Sequence, residues 1–450
     1  MARKAKKIQE LTEIMNGHRI EDIEKIDVTI LKECVCELSE ISDPRDESFV
    51  RHALADIIMI VFFAVMAYAD EWGEIEVFAK KKEKWLRKFL TLEHGIPTDD
   101  TYRIVLSKLN VKSIYRTLLG FFIRKITEII AMSGEGEEEG IEKEKELISC
   151  DGKVSKSSKR NETEKEAKKP LNTLNAYSSE WGACIDQEFI DEKSNEIPAL
   201  PILLNRLNLE GTIVTWDALN TQKETVKAVI NRKTGKGDYV GALKGNHGNI
   251  FTDVKDYFNE ETIDEFKNEY EDMKKDKSNT KDLKYTRTIE KEHSAIITRE
   301  YFMETEIGWL HNKNEWAGLK SIGMEIKTTQ KTGSSSAPIQ ETRYYINSVI
   351  KIEEFARAVR GHWGVENRLH WHLDYTFKDD ENTTTKSNGA EALQMFKKLA
   401  LFFLTLAQVL YPPRTSLKKI RYSLSLDFEN EIEKIFTALN PDYVNETVSI

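Results

Sequence analysis

Cysteine is scarce, with four in 450 residues at Cys34, Cys36, Cys150 and Cys184. They are too few and too irregularly spaced for a disulfide framework or an all-cysteine zinc site, and their number fits a reducing cytoplasm. Cys34-x-Cys36 reads as ordinary packing. An excess of positive charge is also missing: 66 Lys and Arg stand against 76 Asp and Glu, a net charge of -10. That excludes a uniformly basic DNA-coating protein, so any nucleic-acid site must be a local patch. No uninterrupted apolar run reaches the roughly 20 residues of a membrane span. Ala53 to Ala69 is interrupted by Asp56, and Leu399 to Tyr411 is shorter still. Both read as buried central helices, and no membrane partner is expected. The basic start, Met1 to Lys7, is followed by neither an apolar h-region nor a small-residue cleavage site, so a secretory signal is not expected.

What is present is a 52.0 kDa chain with 40% hydrophobic and 32% charged residues, the profile of a soluble globular protein of about two to four domains. Residues 1–130 carry helical periodicity, with Trp85, Leu86, Phe89 and Leu90 at helical spacing and a break at Gly95 to Asp100 that starts the next helix. Residues 131–146 are rich in Gly and Glu without apolar periodicity and read as an acidic linker. The character then changes. Leu147 to Cys150 reads as a short strand ending at a turn, Asp151-Gly152-Lys153, followed by a lysine-rich loop to Lys169. Alternation over Leu174 to Ile190 suits two antiparallel strands, and Ile197 to Leu207 has helical spacing. Gly211 to Trp216 is a buried strand, Thr221-x-x-Glu224 a capping box, and Asp238 to Leu243 another strand. Residues 147–250 thus form an α/β layer of mixed strand directions. Residues 251–340, with a charged helical run from Val254 to Lys277 and a strand from Ala295 to Phe302, interrupt it as an insertion. Residues 341–412 resume it with Arg343 to Asn347, a helix from Ile352 and an apolar helix from Ala390 to Tyr411, and 413–450 remain as a C-terminal tail.

Asp151 and Asp217 each close an apolar strand, and ends of adjacent strands are where α/β sheets assemble sites. Two carboxylates brought together there repel unless a hard cation such as Mg²⁺ neutralises them. Each alone also suits a turn or cap. The densest polar segment is Arg360 to Asp374. If it is helical, His362, Glu366, His370 and Asp374 follow at i+4 and share one face. Such a stripe should line a cleft, because burying it without partners is costly; a solvated face is the alternative. A zinc site of His362, Glu366 and His370 competes, against the lack of H-E-x-x-H and the nearby Gly361 and Gly364.

Taken together, several segments resemble the DDE transposases of bacterial insertion sequences, in the group containing the H-repeat-associated proteins. They are Asp151-Gly152-Lys153, Asp191 to Ile197 (DEKSNEI), Asp217-Ala218, Leu243 to Asn246, Arg343 to Ile346, Arg360 to Asn367 and Leu369-His370-Trp371. Asp43-Pro44-Arg45 with His52, Trp85-Leu86 and Gly95 to Thr101 resemble the helical domain that accompanies these enzymes. The resemblance covers roughly residues 30 to 410 with the motifs in family order. It implies an RNase H-like catalytic domain with an inserted subdomain, preceded by a helical DNA-binding domain. Asp151 and Asp217 match the family's two aspartates, and Glu366 its glutamate. Two segments depart from the pattern. His293 to Arg299 keeps only His293, Ile296 and Arg299 of a His-Gly-Arg-Ile-Glu-x-Arg segment, and Leu219 to Gln222 stands where a Gly-Cys-Gln ending is usual.

The resemblance and the paired aspartates together point to phosphoryl transfer with two Mg²⁺ ions, which Mn²⁺ could replace, held about 4 Å apart by Asp151, Asp217 and Glu366. Lys153, Lys244 and Arg360 would hold phosphate oxygens, His362 or Trp363 would stack on a displaced base, and Asn367 completes the DNA-contacting set. A solvated surface position is the alternative for the lysines, and a core position for Trp363. The partners implied are double-stranded DNA with terminal inverted repeats, target DNA, and further copies of the chain in a synaptic complex. The expected location is the bacterial cytoplasm, on the nucleoid when DNA is bound. Two other readings share this sequence: a catalytically silent DNA-binding relic, and a nuclease without strand transfer.

Overall fold

The computed structural model describes residues 5–46, 48, 50–133, 144–159, 169–190, 195–275, 282–292, 294–333, 336–384 and 388–448. Most of the expected acidic linker, the middle of the lysine-rich loop, Asp191 to Ser194 and His293 lie outside them. Six helices come first: α1 (Lys6–Ile14), α2 (Thr29–Ser39), α3 (Leu54–Met66), α4 (Trp72–Leu86), α5 (Asp99–Lys108) and α6 (Val111–Met132). α3 is apolar all round and is buried over its whole length. Its single charge, Asp56, is tolerated because the carboxylate accepts from Thr91 N (3.2 Å), Thr91 Oγ1 (2.7 Å) and Leu92 N (2.9 Å). Before α3 the chain is pinned by Arg45, which pairs with Asp43 (2.5 Å) and donates to the His52 carbonyl (2.9 Å).

Nine strands form one sheet, β1 (Glu146–Ser155), β2 (Leu171–Ser178), β3 (Ala183–Ile190), β4 (Thr212–Trp216), β5 (Asp238–Leu243), β6 (Tyr285–Glu292), β7 (Ala295–Glu304), β8 (Ser321–Lys331) and β9 (Ile339–Asn347). Their spatial order is β3-β2-β1-β4-β5-β9-β8-β7-β6. β1, β4 and β5 are parallel neighbours and every other pairing is antiparallel. Helices α7 (Glu196–Arg206) and α8 (Lys223–Ile230) lie between strands on one face, and α9 (Asn249–Tyr257) and α10 (Glu260–Lys275) follow β5. Beyond the sheet come α11 (Ile352–His362), a π-helical turn (Val365–His370), α12 (Trp371–Phe377) and α13 (Gly389–Ala407). The last three are α14 (Leu417–Leu426), α15 (Phe428–Ala438) and α16 (Pro441–Thr447).

The two-residue period of a strand decides which layer each side chain joins. Ile148, Val214 and Trp216 pack with Leu200, Leu203, Val226 and Val229 of α7 and α8. Leu147, Ile213 and Val240 pack on the other face with Phe355, Ala358 and Val359 of α11. α11 crosses β1 at Gly361, where a Cβ would stand 2.1 Å from Leu147 Cδ2.

Several expectations need correction. β1 does not end at Asp151; it runs on to Ser155 because β2 pairs with it along that whole stretch. Thr221 caps no helix, since α8 starts at Lys223 and the Thr221 hydroxyl instead accepts from Trp216 Nε1 (3.1 Å) and donates to the Ala242 carbonyl (2.6 Å). The charged run from Val254 is two helices broken at Phe258. The segment expected as an insertion does stand between two paired strands, β5 and β9, but it adds β6, β7 and β8 to the same sheet beyond β9. Residues 413–450 are not a tail either: α14, α15 and α16 bury Leu417, Ile420, Leu424, Ile432 and Phe436 in one core with α1 to α6 and α13. Gly389–Leu410 is long and apolar enough to cross a membrane, but it is the centre of that core, packed on α3, α5 and α6.

Candidate active site

Cys150 pairs with Trp216 in the parallel register of β1 and β4, so Asp151 and Asp217 are the next positions along two adjacent strands. Such strands lie about 4.8 Å apart. By the same period both aspartates fall on the face covered by α11, since Leu147 and Ile213, four residues earlier, are in that layer. Two residues before each aspartate, Thr215 Oγ1 meets His362 Nδ1 at 2.9 Å and Ser149 Oγ lies 3.5 Å from the Gly361 carbonyl. The end of α11 is thereby fixed over the strands, and the π turn that continues it reaches Asp151 through His370.

That turn carries Glu366, which is exposed, and ends at His370, whose Nδ1 is 3.5 Å from Asp151 Oδ2. π turns are rare and frequent at functional sites. A fourth acid arrives from the opposite layer: Glu196 at the start of α7 lies over Gly152, where a Cβ would sit 2.1 Å from its Oε1. Glycine is the residue that leaves room for this approach. The Asn220 side-chain amide bridges Glu196 and Asp217, donating to Glu196 Oε2 and Asp217 Oδ1, both at 3.0 Å.

Burial pushes the Asp151 carboxyl up to about 7, and the neighbouring Glu366, Glu196 and Asp217 push in the same direction. Glu196 is raised by burial and by Asp217, with Asn220 opposing. Burial lowers His362 to about 4 and, with help from Lys153, Lys398 and His362, lowers His370 to about 3, so both rings are neutral near pH 7. This donor set is all carboxylate oxygen around one half-buried aspartate, the chemistry that suits Mg²⁺ or Mn²⁺. Among the described residues, no three carboxylate, thiol or imidazole groups are yet close enough to ligate one ion. His362, Glu366 and His370 likewise do not converge, because His362 is held by Thr215 and His370 faces Asp151.

Three of the four residues of the stripe expected on one helix face are engaged, His362 with β4, His370 with Asp151 and Asp374 with Lys153, while Glu366 is exposed. Lys153 is therefore not a solvated lysine. Its ammonium is buried between Asp374 Oδ1 (2.5 Å) and Asp380 Oδ1 (3.6 Å). Arg360 pairs with Glu290 (3.0 Å) and Glu292 (2.9 Å). Trp363 is half-buried with the Arg343 guanidinium over its ring at 4.8 Å. Of the six residues expected at DNA, only Lys244 and Asn367 are exposed.

Sequence reasoning did not single out Glu196, Asn220, Asn175 or Lys398. Glu196 stood only within a motif, and its signal was Asn195, whose side chain caps α7 and turns the next residue toward the strand ends. The signal for Lys398 is a lysine pair, Lys397-Lys398, inside an apolar helix.

Comparison with known proteins places this geometry in context. Residues 142–403 match the family model described as Transposase DDE domain, and residues 35–122 match the DDE_Tnp_1-associated model. The chain is 32% identical over 365 residues to “Putative transposase YncI” of Escherichia coli O157:H7, covering 81% of this chain and 85% of that one. It is 29% identical over 378 residues to “H repeat-associated putative transposase YhhI” of Escherichia coli strain K12, covering 83% and 91%. Among solved structures it aligns with a piggyBac transposase synaptic complex with hairpin DNA at a TM-score of 0.33 and 11% identity, covering 100% of this chain and 83% of that one.

Proposed function

The chain belongs to the DDE transposases of the H-repeat group, and we propose that it cuts DNA at the ends of an insertion sequence and joins those ends to a target. In this reading the sheet and its covering helices are an RNase H-like catalytic domain. The observation that carries it is the placement of Asp151 and Asp217 at matching positions of two parallel neighbours, β1 and β4, with Glu366 and Glu196 near enough to push the half-buried Asp151 carboxyl up. Crowded carboxylates of this kind are unfavourable alone and are stabilised by a divalent cation.

Asp151, Asp217 and Glu366 would hold Mg²⁺. When bound, the metal supplies a lowered pKa for an attacking water or 3′-hydroxyl and charge stabilisation on the leaving oxygen. Asp151 is carried on β1 and Asp217 directly follows β4, so they offer a rigid half of the ligand set, whereas Glu366 on the π turn offers the exposed half. Asn220 keeps Asp217 oriented through its amide. Lys244 and Asn367, the two exposed members of the expected DNA-contacting set, are available to the DNA backbone. The helical unit of α1 to α6 would read the terminal repeats, and the protein would work as an oligomer on the nucleoid in the cytoplasm.

The test is Mg²⁺-dependent cleavage of a duplex taken from the genomic flanks of this gene, comparing wild type with Asp151→Asn. Cleavage at the repeat ends by wild type, absent in the variant while DNA binding persists, is the expected result. Retained cleavage by Asp151→Asn overturns the site. Specific binding without cleavage by wild type replaces the enzyme with a DNA-binding relic, and cleavage without joining to a target leaves a nuclease.

A further inference from the structure

A chain of hydrogen bonds runs from Lys398 in the core of α13 through Asn175 to His370, which stands beside Asp151. Lys398 is 2% exposed, and its ammonium faces three side-chain carbonyl oxygens: Asn175 Oδ1 (2.5 Å), Gln394 Oε1 (3.0 Å) and Gln187 Oε1. An ammonium has three donors and no acceptor, so three oxygens match its three protons. The Gln394 amide is oriented independently, because its Nε2 donates to Ser155 Oγ (3.0 Å) and to the Asp379 carboxylate (3.2 Å). With Oδ1 of Asn175 committed to Lys398, its amide nitrogen must point the other way. Nδ2 lies 3.2 Å from the Thr173 carbonyl and 3.1 Å from His370 Nε2. An amide nitrogen only donates, so His370 Nε2 must accept, and a neutral imidazole that accepts at Nε2 carries its proton on Nδ1. Nδ1 is the nitrogen facing Asp151 Oδ2 at 3.5 Å.

We propose that Lys398 is a positioning residue for Asp151: acting through Asn175, it fixes His370 as the Nδ1–H tautomer, so that the ring presents a donor to the Asp151 carboxylate. With the opposite tautomer a ring lone pair would face Asp151, and the carboxylate would be turned away. This is the arrangement by which an outer partner orients a metal-binding carboxylate. The inference rests on the reading of Asp151 as a metal-holding residue for its consequence, but the tautomer itself does not depend on that reading.

The experiment uses the full chain with ¹⁵N-labelled histidine, without DNA or metal, and assigns the His370 signals by their loss in His370→Gln. Wild type is expected to show protonated Nδ1 and bare Nε2 near pH 7. Protonated Nε2 with bare Nδ1 overturns the proposal. In Lys398→Met, of similar length, the Asn175 amide is free to turn and a second tautomer should appear. Mn²⁺ titrated into the same variant and followed by electron paramagnetic resonance should bind about tenfold more weakly than in wild type. Unchanged tautomer and unchanged Mn²⁺ affinity overturn the proposal. Should Lys398→Met not fold, Asn175→Asp keeps a partner for Lys398 and places an acceptor against Nε2; it should give a ring protonated on both nitrogens, and a ring protonated on Nδ1 alone overturns the proposal. A wild type with the expected tautomer that nonetheless cuts no DNA would sink the transposase reading and leave this hydrogen-bond chain in place.

Discussion

Asp151 is a carboxyl that titrates near 7 in the folded chain against an ordinary value of 3.8. Between those values the folded state binds more protons than the unfolded one, so stability falls as pH rises through the interval. At about 1.4 kcal/mol per unit the contribution is at most about 4 kcal/mol. We therefore expect metal-free wild type to lose stability relative to Asp151→Asn between about pH 4 and pH 7, and Mg²⁺ at pH 7 to restore it to wild type alone. Denaturant unfolding of the two proteins across that range checks this; parallel curves would refute it. Asp151 and Asp217 were legible in the sequence because each follows a short apolar run, and period-two strands then put them side by side. The roles of the basic residues were not legible. Whether Lys153 meets water or a carboxylate depends on Asp374 and Asp380, more than 200 positions away along the chain, and no local pattern carries that information. Asn175 and Lys398 escaped notice for the same reason, since their chemistry exists only once β2 and α13 are packed together.

Among the elements, α11 with its π turn depends most on local detail. At Gly361 a single added carbon meets Leu147 at 2.1 Å with β1 behind it. Gly361→Ala should cost about 1–3 kcal/mol through overpacking, and Leu147→Ala in the same chain should recover part of it, as read by a double-mutant cycle. A π turn is one residue in excess of an α-helix. Deleting Asn367 should let the helix close up with His370 and Asp374 still over the sheet, leaving stability within about 1 kcal/mol of wild type, while Glu366 moves and cleavage is lost. A deletion variant that cuts normally would show that the widened turn is incidental. Elements with strong periodicity, such as β5 and α7, could be read from the sequence nearly to the residue. The capping box at Thr221 could not, because its hydroxyl has a better-buried partner in the Ala242 carbonyl. Nor could the break at Phe258, where apolar burial of the side chain outweighs a charged helical pattern that would otherwise continue.

For the whole molecule, the two halves of the helical unit are joined by Arg421. It is fully buried and donates to the Val65 carbonyl (2.7 Å), the Thr376 carbonyl (2.5 Å) and Asp70 Oδ1 (2.8 Å), between the Tyr68 and Phe377 rings. One side chain thus ties α14 to the end of α3 and to α12, the helix that follows Glu366. Arg421→Met should cost about 3–5 kcal/mol, because Asp70 and two carbonyls lose their donor, measurable by chemical denaturation. Ending the chain at residue 412 removes Leu417, Ile420, Leu424, Phe428, Ile432 and Phe436 from the core, and we expect an insoluble product, not a trimmed, folded protein. The extent of this core was hidden in the sequence because α14 to α16 are short and amphipathic and read alone as surface helices. Their place has a consequence for synthesis on the ribosome. Residues 5–132 emerge early, yet much of the hydrophobic surface they present is covered by residues 389–448, so part of the nascent helical half must wait, exposed, through some 250 residues of intervening translation. At about 5–20 residues per second that is on the order of 10–50 s in which it can be bound by chaperones or lost to aggregation. The supply of finished protein, and with it the frequency of any DNA rearrangement it carries out, would be set partly by how well the cell shelters that half-made core.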